Sequence, residues 1–191
     1  MVRFRPGTGT RFLITVDTEE EFNWALPHSR TGFGLEHVSR LATFQSFCDE
    51  HGAIPLYLVD YPIAKSHDCG DILRPAAAAG RAEIGIHLHP WVNPPFEENV
   101  CEYNTFAGNL PEVLERAKFA ALHKAIEANF GIAPICYRAG RYGVGPNTVG
   151  ILKEFGIAID TSSRSRFDYS STGGANFRDL PVRPWWIDPE H

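Results

Sequence analysis

Two histidines stand close together in an otherwise apolar stretch, AEIGIHLHPW, which runs from Ala82 to Trp91. Side chains at positions i and i+2 of a β-strand point to the same face, so His87 and His89 are predicted to converge on one point. Neutral imidazole is a common ligand of zinc and related divalent cations. The spacing therefore favours a site for one divalent metal ion, although two hydrogen-bonded core histidines are the structural alternative.

Acidic side chains that could complete such a site lie near the N-terminus, in the stretch TVDTEEEF. Asp17 and Glu19 also share a strand face, so one carboxylate could bind the metal while the other accepts a proton from water. Acidic clusters are also typical of solvated loops and of helix N-termini, where the helix dipole favours them. That interpretation fits Glu20 and Glu21 better than Asp17, which directly follows the largely apolar residues 12–16.

A third stretch, YRAGRYGVGP, combines two arginines with three glycines and two tyrosines. Arg138 could hold a carboxylate in a bidentate pair and fix its orientation. The glycines could let backbone N–H groups approach a developing oxyanion, and Arg141 is a candidate substrate contact. A plain strand-to-helix turn with a surface arginine is the alternative. The stretch has neither GxGxxG nor GxxxxGK, which argues against a phosphate loop.

Aromatic residues form the last group of candidates. Exposed rings with polar rims can stack on the faces of sugars, whereas each ring alone could equally pack under a long loop. Trp91 is the candidate substrate contact among them. Five rings stand next to loops or proline-rich turns instead of in periodic stripes: Trp91, Phe96, Tyr142, Trp185 and Trp186.

The elements that must position these groups alternate between strands and helices. Apolar residues at helical spacing predict helices over 35–48, 111–130 and 146–156, each followed or ended by a glycine. Such alternation indicates an α/β fold with a largely parallel sheet, in which sites gather at the carboxyl ends of the strands. Five short segments bounded by Gly, Pro or Asp are predicted as buried strands: RFLITVD, AIPLYLVD, AEIGIHLH, PICYRAG and GIAIDTS.

Length and composition set the class of protein. The 191 residues suffice for a single domain over 1–191 with a buried core. A net charge of −5 argues against nucleic acid or an anionic membrane as partner, because both are bound by clustered Lys and Arg. The N-terminal apolar run is too short for a signal peptide or a transmembrane segment. Four scattered cysteines without a CxxC pair are typical of reduced thiols in a cytoplasmic protein.

Four of these stretches, taken in order, resemble the motifs of the NodB-homology polysaccharide deacetylases, a superfamily of metal-dependent carbohydrate esterases. LITVDTEEEF resembles the first motif, EIGIHLHPW the histidine motif, YRAGRYG the arginine motif and IAIDTSS the fourth. The stretches YLVDYP, HLHPWVNPPFEE and GNLP are most similar to the WalW-like branch, which is linked to lipopolysaccharide synthesis. The resemblance covers residues 12–163, which is most of the chain.

The resemblance implies a deformed (β/α) barrel, usually of seven strands, and hydrolysis of an N-acetyl group from a sugar by metal-bound water. It implies Asp17 as the general base, Arg138 as the residue that orients this base, and His87 as a metal ligand. Tyr142 would stabilise the oxyanion through its backbone N–H, and Asp160 would line the site. The implied cofactor is one divalent ion, zinc or alternatively cobalt, nickel or manganese, and the implied partner is an acetylated carbohydrate.

The sequence departs from the family pattern at three places. Thr18 stands where many members have a metal-binding aspartate, so Glu19 is predicted as the ligand from the spacing found in some branches. Trp91 stands where the second histidine usually lies, so His89 is assigned by strand geometry. The late Leu-x-His motif, which supplies the general acid, is missing from the C-terminal part, where only His191 remains. We therefore expect either an N-terminal part of a longer enzyme or a shortened member.

Three other functions stay open on the sequence. The same scaffold could hydrolyse another C–N amide, such as a cyclic imide or ureide, because loops can refit it. A non-catalytic carbohydrate-binding barrel would explain the missing acid, but the presence of Asp17 and Arg138 argues against it. An amidohydrolase-type barrel also uses His-x-His, but on its first strand, whereas the pair here falls on about the third.

Overall fold

The computed structural model describes residues 2–187, so the terminal His191 lies outside the described part. Within it, one parallel sheet contains five strands in sequence order: β1 (Thr15–Thr18), β2 (Leu56–Val59), β3 (Glu83–Leu88), β4 (Cys136–Ala139) and β5 (Ile159–Asp160). Four strands lie within their predicted segments, and β1 extends one residue beyond its segment, to Thr18. The α/β class with a parallel sheet is confirmed. The register places His87 beside Arg138.

The same residues form five α-helices: α1 (Val38–Glu50), α2 (Tyr61–Lys65), α3 (His67–Ala78), α4 (Glu112–Phe130) and α5 (Thr148–Glu154). Short 3-10 helices lie at Pro90–Val92, Tyr103–Thr105, Ala107–Asn109, Gly140–Tyr142 and Ser170–Thr172. The predictions of α1, α4 and α5 are confirmed, whereas apolar spacing does not predict α2 and α3. Side-chain caps start these two helices, because Asp60 accepts the Ile63 N–H at 2.9 Å and Ser66 accepts the Cys69 N–H at 3.2 Å.

The sheet is open. Its strand order never reverses, and α1, α3, α4 and α5 contact one another in succession, which is the arrangement of one helical layer against the sheet. β1 and β5 form the two edges. Within residues 161–187, the only further strand-like pairing is an isolated bridge between Asp168 and Asn176. Residues 2–187 therefore form an open five-stranded sheet, and the seven-stranded barrel is not confirmed.

The core lies between the helical layer and the sheet. Phe12 and Leu13 belong to the first predicted buried strand but do not join it. Their exposed fractions are 89% and 82%. Strand β1 begins only at Thr15 and lies at the sheet edge, so the chain before it has a partner on one side at most. The core includes large buried side chains from β2, β3, β4, α3 and α4: Tyr57, Val59, Ile86, Leu88, Tyr137, Leu73, Phe119 and Leu122.

Two sequence expectations concern the helices and the cysteines. None of the helices within residues 2–187 combines the length and the apolar composition needed to cross a bilayer. All four cysteines are free thiols, of which three are buried and Cys101 is exposed. The prediction of unpaired cysteines is confirmed.

Candidate metal centre

The predicted metal ligands meet at the carboxyl-terminal edge of the sheet. His87 lies near the end of β3, and His89 follows that strand with extended backbone angles, φ −102° and ψ 104°. The Nε2 atom of His87 is 3.0 Å from a carboxylate oxygen of Glu19 and 3.1 Å from the Nε2 atom of His89. The Nε2 atom of His89 is 3.3 Å from the same Glu19 oxygen. Three potential ligand atoms, which we call the triad, therefore converge on one point.

Both histidine rings are held with their Nδ1 atoms against oxygen acceptors. The Nδ1 atom of His87 lies 3.0 Å from the backbone carbonyl oxygen of Arg138, and the Nδ1 atom of His89 lies 2.8 Å from the carboxylate of Glu20. A carbonyl or an ionised carboxylate can only accept a hydrogen bond, so each Nδ1 donates. In the neutral rings, both Nε2 atoms then carry lone pairs, which is the form of histidine that binds metals.

The spacing and the charge of the triad both fit a divalent cation. Zinc–nitrogen bonds of about 2.0–2.1 Å with tetrahedral angles place neighbouring ligand atoms about 3.3 Å apart, close to the separations observed here. Burial disfavours the charged carboxylate of Glu19, but its contacts with His87 and His89 hold its pKa well below the usual range, so this carboxylate is charged. Two lone pairs and a carboxylate that face one another are stabilised by a positive charge between them.

Glu20 lies directly behind His89 and is only 3% exposed, so its prediction as a solvated loop residue is wrong. Its carboxylate also accepts a hydrogen bond from Nε1 of Trp91 at 2.7 Å, and its backbone N–H donates to Asp60 at 2.8 Å. Burial disfavours the charged form of His89, but the carboxylates of Glu20 and Glu19 raise the pKa of His89 to about 10. The two carboxylates against His89 give the centre a surplus of negative charge, which a bound cation would balance.

Trp91 supports the metal centre from behind. The residue is 2% exposed, and its indole stacks on the ring of His89 with 4.3 Å between the ring centroids. The rings of His28 and Phe22 lie against the same indole at centroid distances of 4.6 and 5.7 Å. This burial argues against the predicted direct contact between Trp91 and a substrate.

Arg138 spans the sheet from β4 to β1. Its Nη1 atom donates to the carboxylate of Asp17, and its Nη2 and Nε atoms lie 3.2 Å from the hydroxyl oxygens of Thr15 and Thr161. The side chain of Asp17 is 35% exposed, whereas that of Arg138 is 16% exposed. The structure therefore brings together the residues predicted as base and orienting arginine, and leaves the carboxylate accessible from solvent.

The turn after β4 carries two further predicted site residues. Arg141 and Tyr142 both have positive φ angles, 54° and 58°. The guanidinium of Arg141 pairs with Glu102 and donates to the hydroxyl of Thr105, so a substrate contact by Arg141 would compete with these bonds. The ring of Tyr142 stacks on Tyr169 at 5.7 Å, and the role of the Tyr142 backbone N–H stays a prediction.

Close packing at the ends of β4 and β5 completes the site. A Cβ atom on Gly140 would lie 2.3 Å from Cδ2 of His89, so this position needs glycine for the ring to keep its place.

Asp160 accepts the N–H of Ser162 at 2.8 Å, and the Ser162 hydroxyl accepts the N–H of Ala139 at 2.8 Å. Burial raises the pKa of Asp160. Asp160 thus positions Ser162, which in turn binds the backbone at the end of β4. The role of Asp160 in lining the site stays a prediction.

A buried lysine holds the loop that follows His89. Lys118 of α4 has no exposed surface, and its Nζ atom donates to the backbone carbonyls of Pro90 at 2.9 Å and Asn93 at 2.6 Å. The same atom lies 3.1 Å from the carboxylate of Glu98. Lys118 could not be recognised from the sequence, because a lysine within a helix is ordinarily a solvent-exposed residue.

Comparisons with known proteins give one likeness. No family model matches this chain, and no curated protein matches it. A solved structure from Mycobacterium smegmatis, assigned as a polysaccharide deacetylase, shares 25% identical residues and a TM-score of 0.48 over 66% of this chain. The match covers 37% of that protein, so this sequence spans little more than a third of its length. At that level of similarity, the family of this chain stays a prediction.

Proposed function

We propose that this protein is a hydrolase that depends on one divalent metal ion and removes an N-acetyl group from an amino sugar or a polysaccharide precursor. The observation that carries the proposal is the convergence of Glu19, His87 and His89 next to the Asp17–Arg138 pair. Zinc is the first candidate ion, with cobalt, nickel and manganese as alternatives, because the ligands are two imidazoles and a carboxylate. The choice of an acetylated sugar rests on the resemblance of the four sequence motifs.

The roles of the residues follow from their positions. Glu19, His87 and His89 would hold the ion, and a bound divalent cation supplies Lewis acidity, which lowers the pKa of water and polarises an amide carbonyl. Asp17 would accept the proton of the attacking water, because its carboxylate is accessible and is held in place by Arg138. The same proton would pass to the amine nitrogen as the C–N bond breaks, so that acetate and the free amine are formed.

The turn after β4 would stabilise the negative charge that develops on the carbonyl oxygen of the substrate. The backbone N–H of Tyr142 would donate to the oxygen on which negative charge develops. The positive φ of Tyr142 sets the direction of the peptide groups in this turn, and Gly140 lets the turn approach His89 closely.

The test is the release of acetate from N-acetylglucosamine oligomers by the zinc-loaded protein and by Asp17→Asn. We expect kcat to fall by about 100- to 10,000-fold in the variant, because general base catalysis typically contributes that factor. The metal content should stay unchanged, because Asp17 is not a ligand. Full activity in Asp17→Asn would overturn the role of Asp17. Sugar binding without acetate release by the zinc-loaded wild-type protein would favour the non-catalytic carbohydrate-binding alternative.

A further inference from the structure

We infer that Glu20 is a positioning residue that fixes His89 in the tautomer whose Nε2 lone pair faces Glu19 and His87. The inference rests on the proposed metal site and adds the device that prepares one of its ligands. The two carboxylate oxygens of Glu20 have separate partners, the His89 Nδ1 atom at 2.8 Å and the Trp91 Nε1 atom at 2.7 Å. The side chains of His89 and Glu20 are both only 1% exposed, so water does not compete for these bonds.

The partners leave one consistent assignment of protons. The indole N–H of Trp91 can only donate, and an ionised carboxylate can only accept. One oxygen of Glu20 is therefore used by Trp91, and the other must accept from His89, whose proton is then placed on Nδ1. The Nε2 atom of neutral His89 is left with its lone pair, directed at the Glu19 oxygen 3.3 Å away.

Hydrogen bonds through Asp60 hold the main chain at Glu20 in place. Its backbone N–H donates to Oδ2 of Asp60 at 2.8 Å, and Oδ1 of Asp60 accepts the backbone N–H of Ile63 at 2.9 Å, at the start of α2. His87 differs from His89 in this respect, because its Nδ1 atom faces the backbone carbonyl of Arg138. Only the His89 tautomer is therefore set by a side chain that a substitution can change.

Replacing Glu20 with glutamine should reverse this tautomer. The Trp91 N–H needs the amide oxygen of the glutamine, so the amide NH₂ group must face Nδ1 of His89. Nδ1 then has to accept, and the proton moves to Nε2, the atom that would bind the ion. We expect Glu20→Gln to lower zinc affinity by about 10- to 100-fold, the range typical of residues that orient a metal ligand.

A second substitution should restore the ligand. In Glu20→Gln combined with Trp91→Phe, no indole N–H holds the amide oxygen, so the amide can turn and accept from His89 Nδ1. We expect this double variant to bind zinc about tenfold more tightly than Glu20→Gln alone, because the orienting bond is recovered. Trp91→Phe alone should lose less affinity than Glu20→Gln and should keep the proton on Nδ1 of His89, since its Glu20 carboxylate still accepts from that atom. Phenylalanine also keeps an aromatic ring against His89.

The experiment measures zinc affinity of the metal-free chain by competition with a chromophoric chelator, for the wild type and the three variants. The ¹⁵N chemical shifts of His89, recorded at a pH at which its ring is neutral, report the tautomer directly, and circular dichroism checks that each variant is folded at that pH. The expected results are Nε2–H in Glu20→Gln, Nδ1–H in the other three proteins, and rescue of affinity in the double variant.

Four results would overturn the inference. The first is that Glu20→Gln binds zinc like the wild type. The second is that the double variant binds zinc no better than Glu20→Gln, which is the result expected if Glu20 has only a structural role. If Glu20→Gln does not fold, a proton on Nε2 of neutral His89 in a folded Trp91→Phe would contradict the inference. A wild-type chain that binds no zinc would overturn the proposed metal site together with this inference. If only the inference fails, the wild type still binds zinc, so the two failures are distinguishable.

Discussion

The site has two sides that are built differently. The side of the triad is enclosed, because the His87 and His89 side chains are 4% and 1% exposed and their Nδ1 atoms are held by a backbone carbonyl and by Glu20. The other side, formed by Asp17 and Arg138, is held by one ion pair across the sheet and keeps the carboxylate open to solvent.

The contrast separates two requirements of hydrolysis. Metal ligands must be held in one protonation state and one orientation, which burial and hydrogen bonds to Nδ1 provide. A base must reach water and substrate, which an accessible carboxylate can do. Substitutions on the enclosed side should therefore change metal affinity or stability, and substitutions on the open side should change turnover.

The largest expected effect comes from removing the charged member of the triad. Glu19→Ala leaves two neutral imidazoles, so the ion loses one bond and the main compensation of its charge. We expect zinc affinity to fall by more than the roughly 10- to 100-fold caused by changes behind the ligands. A chelator competition assay measures the change, and the exposed Glu50→Ala serves as the control of equal charge. Equal affinity of Glu19→Ala and the wild type would remove Glu19 from the ligand set.

The second effect concerns the stability of the enclosed side. Lys118→Met leaves the carboxylate of Glu98 buried without its 3.1 Å partner and frees two loop carbonyls. Breaking a buried ion pair in this way typically lowers the free energy of unfolding by about 3–5 kcal/mol. Urea denaturation measures it, with the exposed Lys124→Met as control on the same helix. Equal stability of the two variants would show that Lys118 does not hold the loop.

The smallest expected effect lies on the open side. Arg138→Lys keeps a positive charge near Asp17 but loses the planar group that also reaches the hydroxyls of Thr15 and Thr161. We expect kcat for acetate release to fall about tenfold, equivalent to about 1.4 kcal/mol, with unchanged metal content. Loss of metal from Arg138→Lys would contradict the separation of the two sides.

Local spacing predicts the parts of the site that lie within one segment. The i and i+2 rule places His87 and His89 on one face, and the structure brings both to Glu19. Alternation of apolar segments predicts all five strands, and with them the strand ends where Asp17 and Arg138 meet.

Contacts between distant segments could not be predicted in this way. Glu20 and Trp91 are 71 residues apart, so neither the burial of the carboxylate nor its indole partner follows from local patterns. The type of residue predicts a solvent-exposed position for Lys118. The carbonyls of the loop after β3 and the carboxylate of Glu98 make its burial favourable. The open sheet is also a property of the whole chain, since each strand alone has the same pattern in a closed barrel.

The most direct test of the metal centre is elemental analysis of the protein purified without added metal and after zinc is supplied. The wild type should contain about one zinc or similar ion per chain, and His87→Ala combined with His89→Ala should contain almost none, because one carboxylate alone binds zinc weakly. A wild-type protein without bound metal after zinc is supplied would contradict the metal centre and leave both histidines as hydrogen-bonded core residues.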